Sequence, residues 1–516
     1  MLPFGINLWT LLLGLFGIIV VAILLGLVIG YVIPSRHRSN HALDSERLSS
    51  SKWAQWRAIR KDLGDDPDPD PRRLWIGQLD GHDLANPPLR SAMVMAPSGA
   101  GKTPRYVVRT VLRHHGPAVV TSVKGDLLEL TRAQREDNGP VWVFDPSGSL
   151  GQATWSPLAY ITTWADAIDA ARWIQESSKA DATGGVKNSE FWDAQARFLL
   201  APLMFLAAQN GRHMGDVANL VVGGHANEDF VTRELKQLGE EQAITYWARF
   251  VELVHETKSS VLATAATILE GWTHPRIAAA VNVFADDPGL LDLDELIKAN
   301  GTLYLVSPAT EQSRFTPIYE CLVNAITMRV ERQYMQQGSV ALDPPLLLAL
   351  DEAANIAPLR RLDYLASAGA GQGMLLVSVW QDEGQIVSIY GSAKARTIIS
   401  NHYTKIYLPG ISDHETLVHL SDQIGQDSMK QTSHSENKDG SSTTTSWVEK
   451  PVAPAWWLRQ LHRNQAIIIA GHHPPILGCL PAWFEDKKLR AQIPSDVAER
   501  FDKAHSRLPS TKRRKR

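Results

Sequence analysis

The segment 96–103 reads Ala-Pro-Ser-Gly-Ala-Gly-Lys-Thr, a loop of small residues that ends in a lysine and a threonine. It follows a short apolar run at 91–95 and precedes a segment with helical spacing at 106–112, so the order is strand, loop, helix. Backbone N–H groups of such a loop, together with the dipole of the following helix, can bind phosphate. With this spacing Lys102 would reach the β- and γ-phosphates of a nucleotide, and the Thr103 hydroxyl would ligate Mg²⁺.

The predicted nucleotide-binding residues therefore form one continuous loop, and the predicted cofactors are ATP and Mg²⁺. The pattern commonly begins with glycine, but alanine can take that place where its φ is negative. The predicted nucleotide-binding residues are Ala96, Pro97, Ser98, Gly99, Ala100, Gly101, Lys102 and Thr103.

A second group of chemically active residues lies at 346–352, where an apolar run ends in Asp351 and Glu352. Such a run indicates a buried parallel strand, and α/β sheets bind ligands at the carboxyl ends of their strands. We predict that Asp351 holds Mg²⁺ through water and that Glu352 orients or deprotonates an attacking water. Alone, the two acids would suit the first turn of a helix equally well. Together with the lysine and threonine upstream, they favour hydrolysis.

Gln381 follows another strand pattern at 374–380. That position in such a sheet faces the γ-phosphate, so we predict that Gln381 senses it; the alternative is an ordinary polar residue at a strand end. The predicted catalytic residues are thus Lys102, Glu352 and Gln381, and the predicted magnesium ligands are Thr103 and Asp351.

Composition limits the other classes of function. The formal net charge is −3, from 52 basic and 55 acidic residues, so any surface for nucleic acid must be local. Two cysteines cannot make a disulfide framework. The histidine pairs 114–115 and 472–473 are interpreted as structural or exposed rather than as metal sites, because adjacent side chains on a strand or helix point apart.

Residues 8–33 are apolar and carry no charge, which is long enough to cross a bilayer of about 30 Å. A cleaved signal peptide is the alternative, but it would have a basic leading region and a shorter apolar core. Arg36 and Arg38 follow directly, and the positive-inside rule places the carboxyl side in the cytoplasm. We therefore predict a single-pass protein of the cytoplasmic (inner) membrane with its C-terminal body in the cytoplasm.

Strand patterns at the two ends of the chain enclose a long stretch of helical spacing, which predicts an α/β fold with an all-α insertion. The tryptophans of that insertion are interpreted as core residues rather than as platforms for stacked bases. Residues 426–449, rich in Ser, Thr, Lys, Asp and Gly, predict a mobile loop. The predicted domains are a membrane anchor (1–34), a polar linker (35–73), a first nucleotide-binding part (74–161), the all-α insertion (162–298), a second nucleotide-binding part (299–490) and a basic tail (491–516).

Several motifs, in order, resemble the coupling proteins of type IV secretion, the VirD4/TraG/TraD-like group of conjugation ATPases. Their order and spacing are more specific than any one of them. The motifs are the loop 96–103, Val-Lys-Gly-Asp at 123–126, Val-Phe-Asp-Pro at 143–146, Trp-Ser-Pro-Leu at 155–158, Phe-Trp at 191–192, Leu-Asp-Glu at 350–352, 381–385 with Tyr-Gly at 390–391, and Ser-Asn at 400–401.

The resemblance implies a RecA-like P-loop NTPase domain with an all-α insertion, assembled as a homo-hexamer; the one N-terminal transmembrane helix comes from the apolar run at 8–33. It implies a motor that brings single-stranded DNA with its relaxase, or an effector protein, to the channel components of a type IV secretion system at the membrane. ATP hydrolysis to ADP and phosphate would drive conjugative transfer.

The chain departs from this family in two respects. The family commonly has two membrane helices near its N-terminus, whereas one is found here. Some members carry an arginine before the glutamine strand that acts on a neighbour's ATP, whereas 368–373 holds no basic residue; Arg360, Arg361 or Arg396 are the possible substitutes. Two other readings stay open: another membrane-anchored DNA translocase of the segregation type, and a nucleotide-binding substrate receptor without motor activity.

Overall fold

The computed structural model describes residues 53–66, 69–123, 125–151, 153–178, 189–284, 286–287, 289–308, 310–437 and 440–506. Within these residues the chain forms two compact units. The larger, called the body, comprises the described residues up to 423 and from 453 onward, and the smaller is a hairpin within 424–452. The predicted anchor at 8–33 lies outside the described residues. No helix in the described part of the chain is both long and apolar enough to cross a membrane.

The body is built on one eleven-stranded sheet in the order β2-β1-β13-β12-β9-β3-β8-β7-β4-β6-β5, and the hairpin is a separate two-stranded sheet, β10-β11. The strands are β1 (Trp75–Leu79), β2 (His82–Ala85), β3 (Ala92–Met95), β4 (Ala118–Ser122), β5 (Val141–Phe144), β6 (Thr302–Val306), β7 (Leu346–Leu350), β8 (Met374–Trp380), β9 (Thr404–Tyr407), β10 (Gln426–Asn437), β11 (Gly440–Pro451), β12 (Gln465–Ala470) and β13 (Ile476–Cys479).

The described α-helices lie between and around these strands. They are α1 (Trp56–Leu63), α2 (Val108–Arg113, after a π-helical turn at Thr103–Val107), α3 (Asp126–Asn138), α4 (Trp164–Ser177), α5 (Ser189–Gln209), α6 (Met214–Gly223), α7 (Glu228–Leu238), α8 (Glu241–Val251), α9 (His255–Thr273), α10 (Pro275–Val281), α11 (Leu293–Lys298), α12 (Gln312–Gln336), α13 (Leu362–Ala368), α14 (Glu383–Asn401), α15 (His414–Ile424), α16 (Ala455–Arg459), α17 (Lys487–Arg490) and α18 (Ser495–Ser506).

The strands from β9 to β5 are parallel, and β12, β13, β1 and β2 extend the sheet in antiparallel pairing. The central strands are buried along their whole length because helices cover both faces of a parallel sheet. In β7 and β8 every residue is buried. The sequence prediction of an α/β fold with a largely parallel sheet is therefore confirmed, and the antiparallel edge is an addition.

Helices α4 to α11 all lie between β5 and β6. Their amphipathic faces pack on one another, with Trp272 only 1 % exposed and Trp164 in edge contact with Phe205 and Tyr246. Trp164, Trp173 and Trp247 are also buried, as expected of core residues. A helical run of this length can bury a core of its own.

Two segments differ from the sequence prediction. Within the predicted polar linker, α1 buries Ile59 and Leu63 in the main core, since these two apolar residues are four apart and lie on one helical face. Within the predicted basic tail, α18 buries Val497 and Ala498 in the same core. The body therefore includes both segments.

The prediction of a mobile loop at 426–449 is wrong. β10 and β11 pair in register from Gln426 opposite Pro451 to Asn437 opposite Gly440. Threonine is β-branched and favours extended backbone, and a ladder supplies the hydrogen bonds that a loop would leave to water. Low apolar content excluded a buried strand but did not exclude this hairpin.

Candidate nucleotide site

The loop predicted to bind phosphate lies at the carboxyl end of β3 and leads into the π-helical turn before α2. Gly99 and Gly101 have φ of +79° and +89°, a backbone region that other residues rarely adopt. A Cβ at Gly99 would meet no atom within 4 Å, so the loop borders open space there. The loop is also tied to β8, because the Ala96 N–H donates to the Trp380 carbonyl at 3.0 Å.

Thr103 and Asp351 are brought together although 248 positions separate them in the chain. The Thr103 hydroxyl donates to Asp351 Oδ2 at 2.7 Å. Asp351 follows β7, which is separated from β3 by β8 alone, so both residues lie on the carboxyl edge of the sheet. The predicted pair of magnesium ligands is thus adjacent in the fold.

Asp351 is buried, and burial raises the pKa of its carboxyl group from 3.8 to about 6. The hydrogen bond from Thr103 and the charge of Lys102 lower this pKa, whereas Glu352 and Asp126 raise it. Asp351 Oδ1 is buried and has no hydrogen-bond partner among the described residues. A buried carboxylate oxygen without a partner costs free energy, and a divalent cation or its water would satisfy it.

Lys102 is only 6 % exposed, yet its ammonium makes no hydrogen bond with any residue that the structure describes. A lysine whose side chain is largely buried and whose ammonium has no protein partner is available to bind an anion. The loop, Lys102, Thr103 and the open oxygen of Asp351 together fit a nucleotide phosphate with Mg²⁺.

Glu352 has φ of +55°, an uncommon conformation for a residue other than glycine. A turn holds it there: the Glu352 carbonyl accepts from the Asn355 and Ile356 N–H groups, and the Ala353 N–H donates to the Val379 carbonyl. The Asn355 amide donates to Glu352 Oε2 at 3.4 Å. Glu352 is half-buried directly beside Asp351.

Gln381 follows β8 on the same edge, between the phosphate loop and Asp351 in the strand order. Its N–H donates to the Gln385 side-chain oxygen at 2.9 Å. The fold thus brings together the predicted residues of the loop, of the strand end at β7 and of the strand end at β8.

Two residues at this site were not identified from the sequence. The Thr121 hydroxyl in β4 donates to the Asp351 carbonyl at 2.8 Å and supports the strand end. Asp126, at the start of α3, is near enough for its charge to raise the pKa of Asp351. The change from apolar residues to Thr121 and Ser122 at the end of the strand at 118–122 was the available signal for Thr121.

Arg360, Arg361 and Arg396, the possible substitutes for an arginine that acts on a neighbour's ATP, differ in their surroundings. Arg361 donates to Glu331 at 3.0 Å and lies over the Tyr364 ring, so its guanidinium is engaged within the same chain. Arg360 Nε is buried without a partner. Arg396 is exposed, and its Nε donates a hydrogen bond to the Ser392 carbonyl one turn earlier in the same helix. Arg396 is therefore the most exposed of the three.

This fold and this site define a P-loop nucleotide-binding protein of the α/β class. The chain belongs to the family described as type IV secretory system conjugative DNA transfer, whose profile matches residues 41–505.

Related proteins agree with that assignment. The conjugal transfer protein TraG of Escherichia coli is 26 % identical over 447 residues, which cover 78 % of this chain and 69 % of that protein. TraG of Agrobacterium fabrum is 22 % identical over 429 residues (78 % of this chain, 61 % of that protein). VirD4 of the same organism is 22 % identical over 430 residues (81 % and 61 %). The chain thus spans about three fifths of the length of the Agrobacterium relatives.

Solved structures share the fold. Bacterial conjugative coupling protein TrwBdeltaN70 superposes with a TM-score of 0.59 at 19 % identity, covering 79 % of this chain and 88 % of that one. Plasmid coupling protein TrwB in complex with ADP and Mg²⁺ gives a TM-score of 0.61 at 18 % identity, covering 84 % and 94 %.

Proposed function

We propose that this protein is an ATPase that couples a substrate to a type IV secretion channel and drives its transfer by ATP hydrolysis. The observation that carries the proposal is the Thr103–Asp351 contact of 2.7 Å beside a buried, unpaired Lys102. Family membership and the ligands of related TrwB structures, which include ADP, Mg²⁺ and a non-hydrolysable ATP analogue, support it.

Each residue of the site has a distinct role in this proposal. Backbone N–H groups of residues 96–103 hold the phosphates, and Lys102 places its positive charge on them. Thr103 and Asp351 hold Mg²⁺, which neutralises charge on the phosphate oxygens. Glu352 orients the attacking water and accepts its proton, and Gln381 contacts the γ-phosphate side of the site.

The remaining features of the proposal follow from the family. The substrate is single-stranded DNA with its relaxase, or an effector protein, and the working form is a homo-hexamer anchored in the cytoplasmic membrane. The domain limits at 34, 161 and 298 belong to this proposal, and the limits at 73 and 490 are given up because α1 and α18 belong to the body. Arg396 is the candidate that would act on the ATP of a neighbouring subunit.

The proposal is tested by phosphate release from MgATP by the full-length chain in lipid. Lys102→Ala should abolish turnover without lowering the melting temperature of the nucleotide-free protein, because the Lys102 ammonium makes no hydrogen bond within the described residues. A variant that hydrolyses ATP at the wild-type rate would refute the site. Nucleotide binding without turnover in the wild type would instead favour a nucleotide-binding substrate receptor without motor activity.

A further inference from the structure

A second group of ligand-type side chains lies away from the nucleotide site. It consists of Asp62 near the end of α1 and of His472 and His473 in the turn between β12 and β13. Each offers one donor atom, and the three atoms lie within 4.8 Å of one another. The expectation that the two histidines point apart is wrong here, because they lie in a turn rather than on a strand or helix; their ring centroids are 4.3 Å apart.

His473 carries the strongest indication of a missing ligand. Its side chain is only 6 % exposed, and Nε2 is buried with no hydrogen-bond partner among the described residues. The nearest acceptor is Asp62 Oδ2 at 3.8 Å, which is too long for a hydrogen bond. The Asp62 carboxylate accepts no hydrogen bond from a described residue and is 59 % exposed, so it can turn toward an added ion.

The backbone around these side chains is held in place by other contacts. The Gly471 N–H donates to the Tyr403 carbonyl and the His473 N–H to the Ala470 carbonyl, each at 3.0 Å. Gly471 has φ of +50° and packs so closely on the Tyr403 ring that a Cβ there would lie 2.5 Å from it. The turn is therefore fixed before any ion binds, which lowers the entropic cost of binding.

The opposite side is fixed as well. Ile59 and Leu63 anchor α1 in the core, and Arg73 donates to the carbonyl oxygens of Asp62 and Gly64. The Ala54 N–H donates to the Pro475 carbonyl at 2.8 Å, so the segment before α1 already touches the segment after the turn.

We propose that Asp62, His472 and His473 form a zinc site that fastens α1 to the β12–β13 turn. Two imidazole nitrogens and one carboxylate oxygen suit Zn²⁺, whereas Mg²⁺ and Ca²⁺ prefer ligand sets made of oxygen alone. Tetrahedral ligands at about 2.1 Å from zinc lie about 3.4 Å apart. The donor atoms here are 3.8 Å apart for His473 and Asp62 and within 4.8 Å for all three, so binding requires side-chain rotation. Water takes the fourth position.

The site has a structural consequence for the body. α1 is the first helix of the described chain and follows, in sequence, the predicted anchor and most of the predicted linker. An ion that joins α1 to the sheet would slow local opening of this helix, because opening would then have to break metal–ligand bonds.

The test is zinc titration of the full-length protein, without a histidine tag and in lipid, after metal removal and in excess Mg²⁺. Wild type should bind one Zn²⁺ per chain at this site, and Asp62→Asn and His473→Ala should each weaken that binding at least about tenfold. His462→Ala is the matched control, because His462 is exposed and its hydrogen bonds with Gln465 are made by its backbone N–H and carbonyl rather than by its ring. Equal zinc binding in all four proteins would overturn the proposal.

A second readout separates this site from accidental binding elsewhere. Co²⁺ in place of Zn²⁺ should give visible absorption bands of a four-coordinate ion in wild type and His462→Ala but not in Asp62→Asn. Zinc should also slow amide hydrogen exchange in α1 of wild type and leave Asp62→Asn unchanged. Because Asp62 is exposed, the Asp62→Asn variant should fold as wild type does without zinc. If zinc does not change the amide hydrogen exchange rate of α1 in wild type, the ion does not fasten this helix and the proposal is refuted.

Discussion

At the scale of the residue, the site combines groups that are costly to bury with groups that bind the expected ligand. Asp351 is buried with one oxygen unpaired, Lys102 is buried without a hydrogen bond, and Glu352 has a positive φ. Each of these is unfavourable for the free protein. A magnesium nucleotide would relieve the first two, so the site is expected to trade stability for function.

Asp351→Asn should stabilise the metal-free protein at pH 8. The ionised carboxylate is disfavoured by burial, and the rise of its pKa from 3.8 to about 6 corresponds to a cost of up to about 3 kcal/mol above that pH. The Asn amide oxygen can still accept from Thr103. We expect a gain of about 1–3 kcal/mol in the free energy of unfolding, measured by thermal melts in EDTA.

The pH dependence provides the control for that prediction. A raised carboxyl pKa means that the folded protein takes up a proton as pH falls through about 6, so the cost of burying the charge disappears in acid. The advantage of Asp351→Asn should therefore shrink between pH 7 and pH 5. A difference that does not change with pH would contradict the burial of a charge at this position.

Glu352→Gln should bind MgATP with near wild-type affinity and hydrolyse it at least about 100-fold more slowly, because the amide cannot accept a proton from water. The substitution preserves size and leaves the backbone turn at Glu352 intact. Fluorescent nucleotide titration measures binding, and phosphate release measures turnover. If the variant loses nucleotide binding, Glu352 serves the fold rather than the reaction.

At the scale of the element, the phosphate loop depends on a contact made from the far end of the chain. The Arg109 guanidinium in α2 is buried, donates to Asp486 at 2.8 Å and lies 4.3 Å from the centre of the Trp75 ring. Arg105 donates to the Leu480 carbonyl at 2.7 Å. The helical segment that begins at Thr103 is thus held in place by Leu480 and Asp486, which precede α17 in the chain.

Asp486→Asn should destabilise the body by about 2–4 kcal/mol, because it leaves the buried Arg109 charge without its partner. Asparagine keeps the capping bonds that Asp486 accepts from Lys488 and Leu489, so the effect belongs to the ion pair. Chemical denaturation measures it. Glu136→Gln is the control: it removes an exposed pair with Arg132 and should change stability by less than about 0.5 kcal/mol.

Elements with a strong local signal could be predicted from the sequence. β7 is continuously apolar, and the small-residue loop before α2 has one chemical interpretation, so both were placed correctly. The Arg109–Asp486 pair was not predictable, because 377 positions separate its members and neither has a distinctive local pattern. The neighbouring rings of His472 and His473 depend on a turn that composition does not reveal.

At the scale of the whole molecule, the body is built on one sheet, and both the helices α4 to α11 and the hairpin are segments inserted between its strands in the chain. The helices α4 to α11 enter between two adjacent strands, β5 and β6, without interrupting the parallel order. The hairpin forms its own two-stranded sheet. Strands made of polar residues carry weak sequence signals, which is why the hairpin was predicted as a loop although the central strands were found.

Replacing residues 426–451 with a short Gly-Ser turn should leave the body folded. β10 and β11 pair with each other along their whole length. The Val452 N–H donates to the Gly425 carbonyl at 3.0 Å, so the two residues that the new turn would join are already adjacent. We expect the melting temperature and the affinity for MgATP to stay near those of wild type. Insolubility or loss of nucleotide binding would show that the body depends on the hairpin.

The central claim is that ATP turnover at Lys102, Thr103 and Asp351 drives the transfer of a substrate. The most direct measurement is the ATPase rate of the full-length protein in lipid, with no DNA, with single-stranded DNA and with double-stranded DNA, using Lys102→Ala as the blank. The account predicts magnesium-dependent turnover that rises with DNA and vanishes in the variant. An ATPase rate that does not change when DNA is added would favour protein export instead of DNA transfer. ATP hydrolysis by the Lys102→Ala variant would contradict the account.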